Sequence, residues 1–94
     1  MDKLELFNKI ADVVKENSVI KYTHIATLEM PWAETNLDSM DAIMMSVYLS
    51  EIYHVDEEIS KQFTFTTPKE LMELIETHKT VEPESIDEAI KAVI

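Results

Sequence analysis

Few side chains in this 94-residue chain can do covalent chemistry. There is no Cys, which removes a thiolate nucleophile, a thiolate zinc site and a disulfide frame. The three histidines, His24, His54 and His78, lack the spacing of a zinc site and read as surface or core-edge residues. Asp56, Glu57 and Glu58 lack the spacing of a calcium loop and its turn glycine, and read as a solvated charge run. Ser39 is the residue left to explain. It follows Asp38, precedes Met40 and Asp41, and stands where a helix begins. One reading is an N-cap serine whose hydroxyl accepts from a backbone N–H two or three residues on. The other is a serine that carries a phosphodiester, because free N–H groups and the positive dipole end favour an anion there. A serine nucleophile helped by Asp38 and His54 is not expected, on two grounds. The strained elbow of such enzymes is flanked by glycine, and this chain has no glycine. His54 also lies roughly four turns along the same helix from Ser39.

The helix that would position Ser39 runs from about Ser39 to Tyr53. It carries two apolar stripes. Ala42, Met45, Tyr48, Leu49, Ile52 and Tyr53 form one, and Met40, Ile43, Met44 and Val47 form the other on nearly the opposite side. A helix apolar on both sides is either enclosed or has two jobs. So short a chain can hardly enclose it, which gives the longer stripe to the core and the second to a partner. The competing expectation is that Met30 or Trp32 from the preceding loop covers the second stripe. Trp32 and the methionines otherwise read as core or core edge.

Other helices follow from start signals and periodicity. Asp2 and Glu5 have capping-box spacing for a helix from about Lys3 to Glu16, with Leu6, Phe7, Ile10, Val13 and Val14 as its stripe and Asn17 and Ser18 as stop signals. Residues 19–37 show no clean period and contain Pro31; their scattered apolar residues suggest an anchored loop, with room for one helical turn. Residues 56–63 read as a short helix or turn. Thr67-Pro68-Lys69-Glu70 starts a helix ending near His78, with Leu71, Leu74, Ile75 and His78 facing inward. Ser85 and Glu88 start a last short helix with Ile86, Ala89, Ile90 and Val93 as its stripe. The expected fold is an all-α antiparallel bundle with one long loop.

Composition narrows the partners. The net charge is −11, with nineteen acids against eight basic residues, all of them Lys. Nucleic acid is therefore not expected as a partner. No glycine means no phosphate-cradling Walker loop or dinucleotide fingerprint, and no Arg means no bidentate clamp. No apolar run approaches a membrane span and no signal-peptide pattern opens the chain, so the expectation is a cytoplasmic protein without membrane insertion. Between Tyr22 and Ser60 there is no Lys, but there are Glu29, Glu34, Asp38, Asp41, Glu51, Asp56, Glu57 and Glu58. Such a single-sign field is a solvated face or a docking surface for basic partners.

The stretch Leu37-Asp38-Ser39-Met40-Asp41, followed by an apolar helix to Tyr53, resembles the phosphopantetheine attachment motif of acyl carrier proteins. Phe65-Thr66-Thr67-Pro68, followed by a helix, resembles that family's later Ile-Thr-Thr segment, and its distance from Tyr53 matches the family's usual spacing. The resemblance covers roughly Asp2 to His78. It implies a four-helix acyl-carrier-like bundle over residues 1–80, with 81–94 as a helical extension packed on the same domain. It also implies a non-enzymatic carrier, a monomer, with Ser39 esterified by 4′-phosphopantetheine from coenzyme A. A phosphopantetheinyl transferase using magnesium would attach the arm, and the arm's thiol would hold an acyl group as a thioester. The resemblance implies that Asp38, Met40 and Asp41 form the transferase motif, with Asp38 assisting the transferase complex. Ile43, Met44, Val47 and Glu51 would form the docking face for acyl-transferring and synthase enzymes with basic surfaces.

The chain also departs from the family pattern. Thr35-Asn36 stands where the family has Leu-Gly, and Asn36 can take the left-handed conformation in place of glycine. Met40 replaces the usual Leu. Met44 and Ser50 stand where the family commonly has Glu, which makes the face greasier and favours a dedicated fatty acid, polyketide or lipid pathway. Two rivals remain: an aminoacyl carrier (D-alanyl or peptidyl), and a non-carrier acidic helical adaptor in which Ser39 is only a cap.

Overall fold

The computed structural model describes residues 2–94, and these form six helices with no strand. They are α1 (Lys3–Val14), α2 (Trp32–Thr35), α3 (Ser39–Tyr53), α4 (Glu57–Ser60), α5 (Pro68–His78) and α6 (Ile86–Lys91). α3 is the hub: it packs on α1, α4 and α5, while α6 packs on α1. Leu6, Phe7 and Ile10 of α1, Met45, Leu49 and Tyr53 of α3, and Leu71 and Ile75 of α5 are all fully buried. Each such side chain contributes about 1.5–3 kcal/mol by leaving water, and this burial holds the helices together.

α1 ends at Val14, two residues earlier than its periodicity predicts. The Glu16 N–H turns back to the Val13 carbonyl at 3.3 Å, a tightened last turn that stops the α-helical ladder. Its start uses half a capping box. The Asp2 carboxylate accepts from the Leu4 N–H (2.9 Å) and the Glu5 N–H (3.2 Å), and no return bond from Glu5 closes the box. α5 shows a similar variation. Thr67 accepts from the Glu70 N–H (3.1 Å), but the Glu70 carboxylate reaches one residue further back, to the Thr66 N–H (2.6 Å) and hydroxyl (2.8 Å). Those two donors hold the Glu70 carboxyl below the usual carboxylate range. In α5, Met72 is buried as well as Leu71 and Ile75, whereas Leu74 and His78 are only half-buried.

The long connection from α1 to α3 is anchored, with α2 as its single helical turn. The device is Asn8, which pairs with the Ile25 backbone like a neighbouring strand. Its Nδ2 donates to the Ile25 carbonyl (3.0 Å) and its Oδ1 accepts from the Ile25 N–H (2.9 Å). The Tyr22 hydroxyl donates to Asp12 (2.8 Å) and approaches the Asn8 carbonyl at 3.0 Å, and burial with that carboxylate pushes the phenol's proton affinity far up. Further along, the Lys69 N–H donates to the Leu28 carbonyl at 2.7 Å, and Trp32 packs edge-on against Phe65. The expected anchoring fails only at the tip: Val19 is 95% exposed and Ile20 64%. These two follow the α1 stop signals directly and reach no neighbouring element.

The far end of α3 is closed by the chain beyond α5. The Tyr53 carbonyl accepts from the N–H groups of Thr80 (3.1 Å) and Val81 (3.3 Å), and the Thr80 hydroxyl donates to the His54 carbonyl (2.8 Å). Around that crossing, Lys3 and Lys79 both pair with Glu76 and Glu82, and the Lys3 ammonium lies over the Tyr53 ring at 5.8 Å. Ala89 of α6 is buried, and Ile86, Ile90 and Val93 pack against the core, so the last helix is part of the bundle.

Candidate functional site

Ser39 is the first residue of α3, not its cap. The N-cap is Asp38, whose carboxylate accepts from the Asp41 N–H at 2.8 Å. Asp41 answers by accepting the Asp38 N–H at 3.1 Å, which closes a full capping box around the serine. The cap reading of Ser39 is thereby corrected. Asp wins the position because the backbone enters extended at Asp38 (φ −82°, ψ −179°), and the residue three further on carries a carboxylate able to reciprocate. The Ser39 side chain is exposed, and its hydroxyl makes no hydrogen bond among the described residues.

Three features ahead of α3 set its entry. Thr35 is fully buried; its hydroxyl donates to the Trp32 carbonyl (2.6 Å) and accepts from the Leu37 N–H (3.1 Å). Asn36 takes the left-handed conformation at φ 62°, as its substitution for glycine requires. Leu37, 3% exposed, plugs the core just before the motif. The other end of α3 also turns through a left-handed residue, His54, at φ 52°.

The two stripes of α3 separate as expected. Ala42, Met45, Leu49, Ile52 and Tyr53 are buried and Tyr48 is half-buried against the core. On the other side Met40 is 64% exposed, Ile43 54% and Val47 42%, with Met44 half-buried and outside the core cluster. Trp32 packs edge-on against Phe65, and Met40, Ile43 and Val47 are left exposed. Asp38 and Glu51 are exposed at the two ends of the same helix.

Sequence reasoning missed two features beside these residues. The first is a groove of 730 Å³ between α3 and the α4 segment, lined by Ile43, Val47, Val55, Phe63 and Phe65, with Ser50 at its wall. It starts one helical turn from Ser39, at Ile43. Ser46 and Ser50 are both buried on this side, and the Ser50 hydroxyl has no hydrogen-bond partner among the described residues. Periodicity could not find the groove, since two of its walls come from residues outside regular helix. The second is Lys15, whose ammonium meets the Asp41 carboxylate at 2.6 Å. A lone Lys at a helix end gives no sequence signal for a partner so far along the chain.

Among the described residues no three or more His, Asp or Glu side chains come together as a metal-ligand group. No described helix is long and apolar enough to cross a membrane. No family model, no curated protein and no solved structure matches this chain.

Proposed function

We propose that this chain is an acyl carrier protein, with residues 1–80 as the carrier domain and 81–94 as an extension packed on it. In this reading Ser39 holds 4′-phosphopantetheine from coenzyme A, and the chain itself catalyses nothing. One observation carries the reading: the serine of the Asp-Ser-Met-Asp motif is exposed and unengaged because Asp38 and Asp41 do the capping between themselves. A serine kept only as a cap would be using its hydroxyl.

The residues present suit a phosphodiester on Ser39. The N–H groups of Ser39 and Met40 open the helix without an acceptor among the described residues, and they point their partial positive charge toward an anion bound there. Once attached, the arm supplies a thiol that holds an acyl group as a thioester. The chain has no Cys to compete for that acyl group. Ile43, Val47, Phe63 and Phe65 in the neighbouring groove offer an apolar wall for a hydrocarbon cargo, which favours an acyl group over an amino acid. Met40, Ile43, Met44 and Val47, rimmed by Asp38 and Glu51, form the docking face for a transferase and for acyl-transferring enzymes with basic surfaces. A greasy face with Met40, Ile43 and Val47 exposed fits a specialised fatty acid, polyketide or lipid pathway.

Intact mass after incubation with coenzyme A, magnesium and a promiscuous phosphopantetheinyl transferase tests this. The expected result is a single 4′-phosphopantetheine adduct on the wild type and none on Ser39→Ala. An unmodified wild type would leave the adaptor reading standing, and an adduct persisting in Ser39→Ala would move the site elsewhere.

A further inference from the structure

We infer that Lys15 is a positioning residue for modification of Ser39, acting through Asp41. This inference rests on the carrier reading above. The Lys15 side chain is 10% exposed and the Asp41 side chain 15%, so the 2.6 Å pair is largely removed from water. The partners come from different helices. Lys15 is the C-cap of α1, its own N–H held by the Ala11 carbonyl at 3.0 Å, and Asp41 belongs to the first turn of α3. The same Asp41 oxygen that meets Lys15, Oδ2, also accepts the Asp38 N–H at 3.1 Å. A single carboxylate oxygen thus ties the end of α1 to the capping box that brackets Ser39.

This geometry has two effects on phosphoryl transfer. In that step the Ser39 Oγ forms a bond to the phosphorus of coenzyme A that bears the pantetheine. The bond from that phosphorus to the bridging oxygen breaks, adenosine 3′,5′-bisphosphate leaves with the electron pair, and the serine proton goes to a general base that the transferase supplies. First, the clamp fixes the direction of the first turn, and hence of the Ser39 Cα–Cβ bond, before docking, so less orientation remains to be found in the complex. Second, Lys15 cancels the Asp41 charge, so one carboxylate fewer at the start of α3 repels the incoming pyrophosphate. Tyr22 to Ser60 contains no Lys of its own, so that compensation has to come from another segment. Lys15 brings it.

The test compares wild type, Lys15→Met, Lys15→Arg, Asp41→Asn and the double variant Lys15→Met/Asp41→Asn, with transfer rates read by intact mass. Thermal melts and amide exchange at Leu49 report on the global fold. The expected result for Lys15→Met is a kcat about tenfold to a hundredfold lower, with KM for the carrier within about twofold. The Asp41 N–H should exchange faster while Leu49 stays protected. Lys15→Arg should restore most of the rate. The double variant should be no slower than Asp41→Asn alone, because Lys15 acts through that carboxylate. An unchanged kcat in Lys15→Met overturns the inference, as does a rise in KM alone or a double variant slower than Asp41→Asn. A loss that tracks the unfolded fraction also overturns it. A wild type that accepts no arm at all fails the carrier reading first and takes this inference with it, an outcome distinct from the others.

Discussion

Ser39→Ala and Asp38→Ala make opposite demands on the start of α3, and comparing them weighs the site's two roles separately. Ser39 contributes no side-chain hydrogen bond and is exposed, so its loss removes nothing the fold uses. Alanine is also a better helix former than serine, which puts the expected change within about 0.5 kcal/mol of zero. Asp38 holds the Asp41 N–H at 2.8 Å and receives the reciprocal bond at 3.1 Å. Its truncation to Ala loses an N-cap and opens the box, at about 1–2 kcal/mol. For a chain of this size 1 kcal/mol moves the melting temperature by roughly 4–8 °C, so Asp38→Ala should melt well below wild type and Ser39→Ala beside it. Asp38→Asn keeps the cap chemistry and should lose only a few tenths of a kcal/mol. Because the chain carries −11, removing one acid also relieves repulsion. Melts followed by far-UV circular dichroism at about 1 M salt, where the Debye length is about 3 Å, remove that contribution. The decisive comparison is Ser39→Ala against Asp38→Ala: a drop for Ser39→Ala with Asp38→Ala beside wild type would mean the serine is the cap after all.

Three further outcomes are expected. Met44→Glu and Val47→Ser alter the face away from the core, so each should change stability by less than about 1 kcal/mol while slowing acyl transfer from a cognate partner; a loss of several kcal/mol would place them in the core. Truncation after Thr80 removes Ala89, Ile86, Ile90 and Val93 from the α1 face and should lower stability by about 2–4 kcal/mol in urea melts, whereas an unchanged midpoint would make α6 a bystander. Tyr53 is pushed up to about 12, chiefly by burial, so the folded state keeps its proton after the unfolded chain has lost it. Its contribution is present below pH 10 and is lost as pH rises toward about 12; Tyr53→Phe should remove that alkaline loss at little expense, because the hydroxyl has no partner among the described residues.

The strongly periodic parts of the fold were legible in advance. The extent of α3 and its division into a buried and an exposed stripe followed from residue spacing. The left-handed turn at Asn36 followed from residue type. What escaped was whatever depends on one polar side chain meeting a distant backbone. Asn8 lies on α1 beside a hydrophobic stripe, and nothing in its neighbours indicates that it will pair with Ile25. The cap of α3 was misassigned because Asp38 and Ser39 are both good cap residues; only the reciprocal reach of Asp41 decides between them. Lys15 and the groove escaped for the same reason as Asn8, being products of packing between segments far apart in sequence.

The two left-handed residues at the ends of α3 bear on the unfolded chain as well. Among the described residues Asn36 and His54 are the non-glycine positions with positive φ, and the chain has no glycine anywhere. An average chain of this length carries roughly six or seven glycines. Each one left out narrows the conformations open to the denatured ensemble and raises stability by about 0.4–1 kcal/mol where the native backbone is not strained. Together that is a few kcal/mol, comparable with much of the net stability of a small domain. It offsets self-repulsion among nineteen acids without adding a single contact. The strain that glycine would have relieved is confined to the two turns that deliver and close the serine-bearing helix. Adding glycine elsewhere for flexibility would therefore loosen this protein through its denatured state, with no visible change in the folded one.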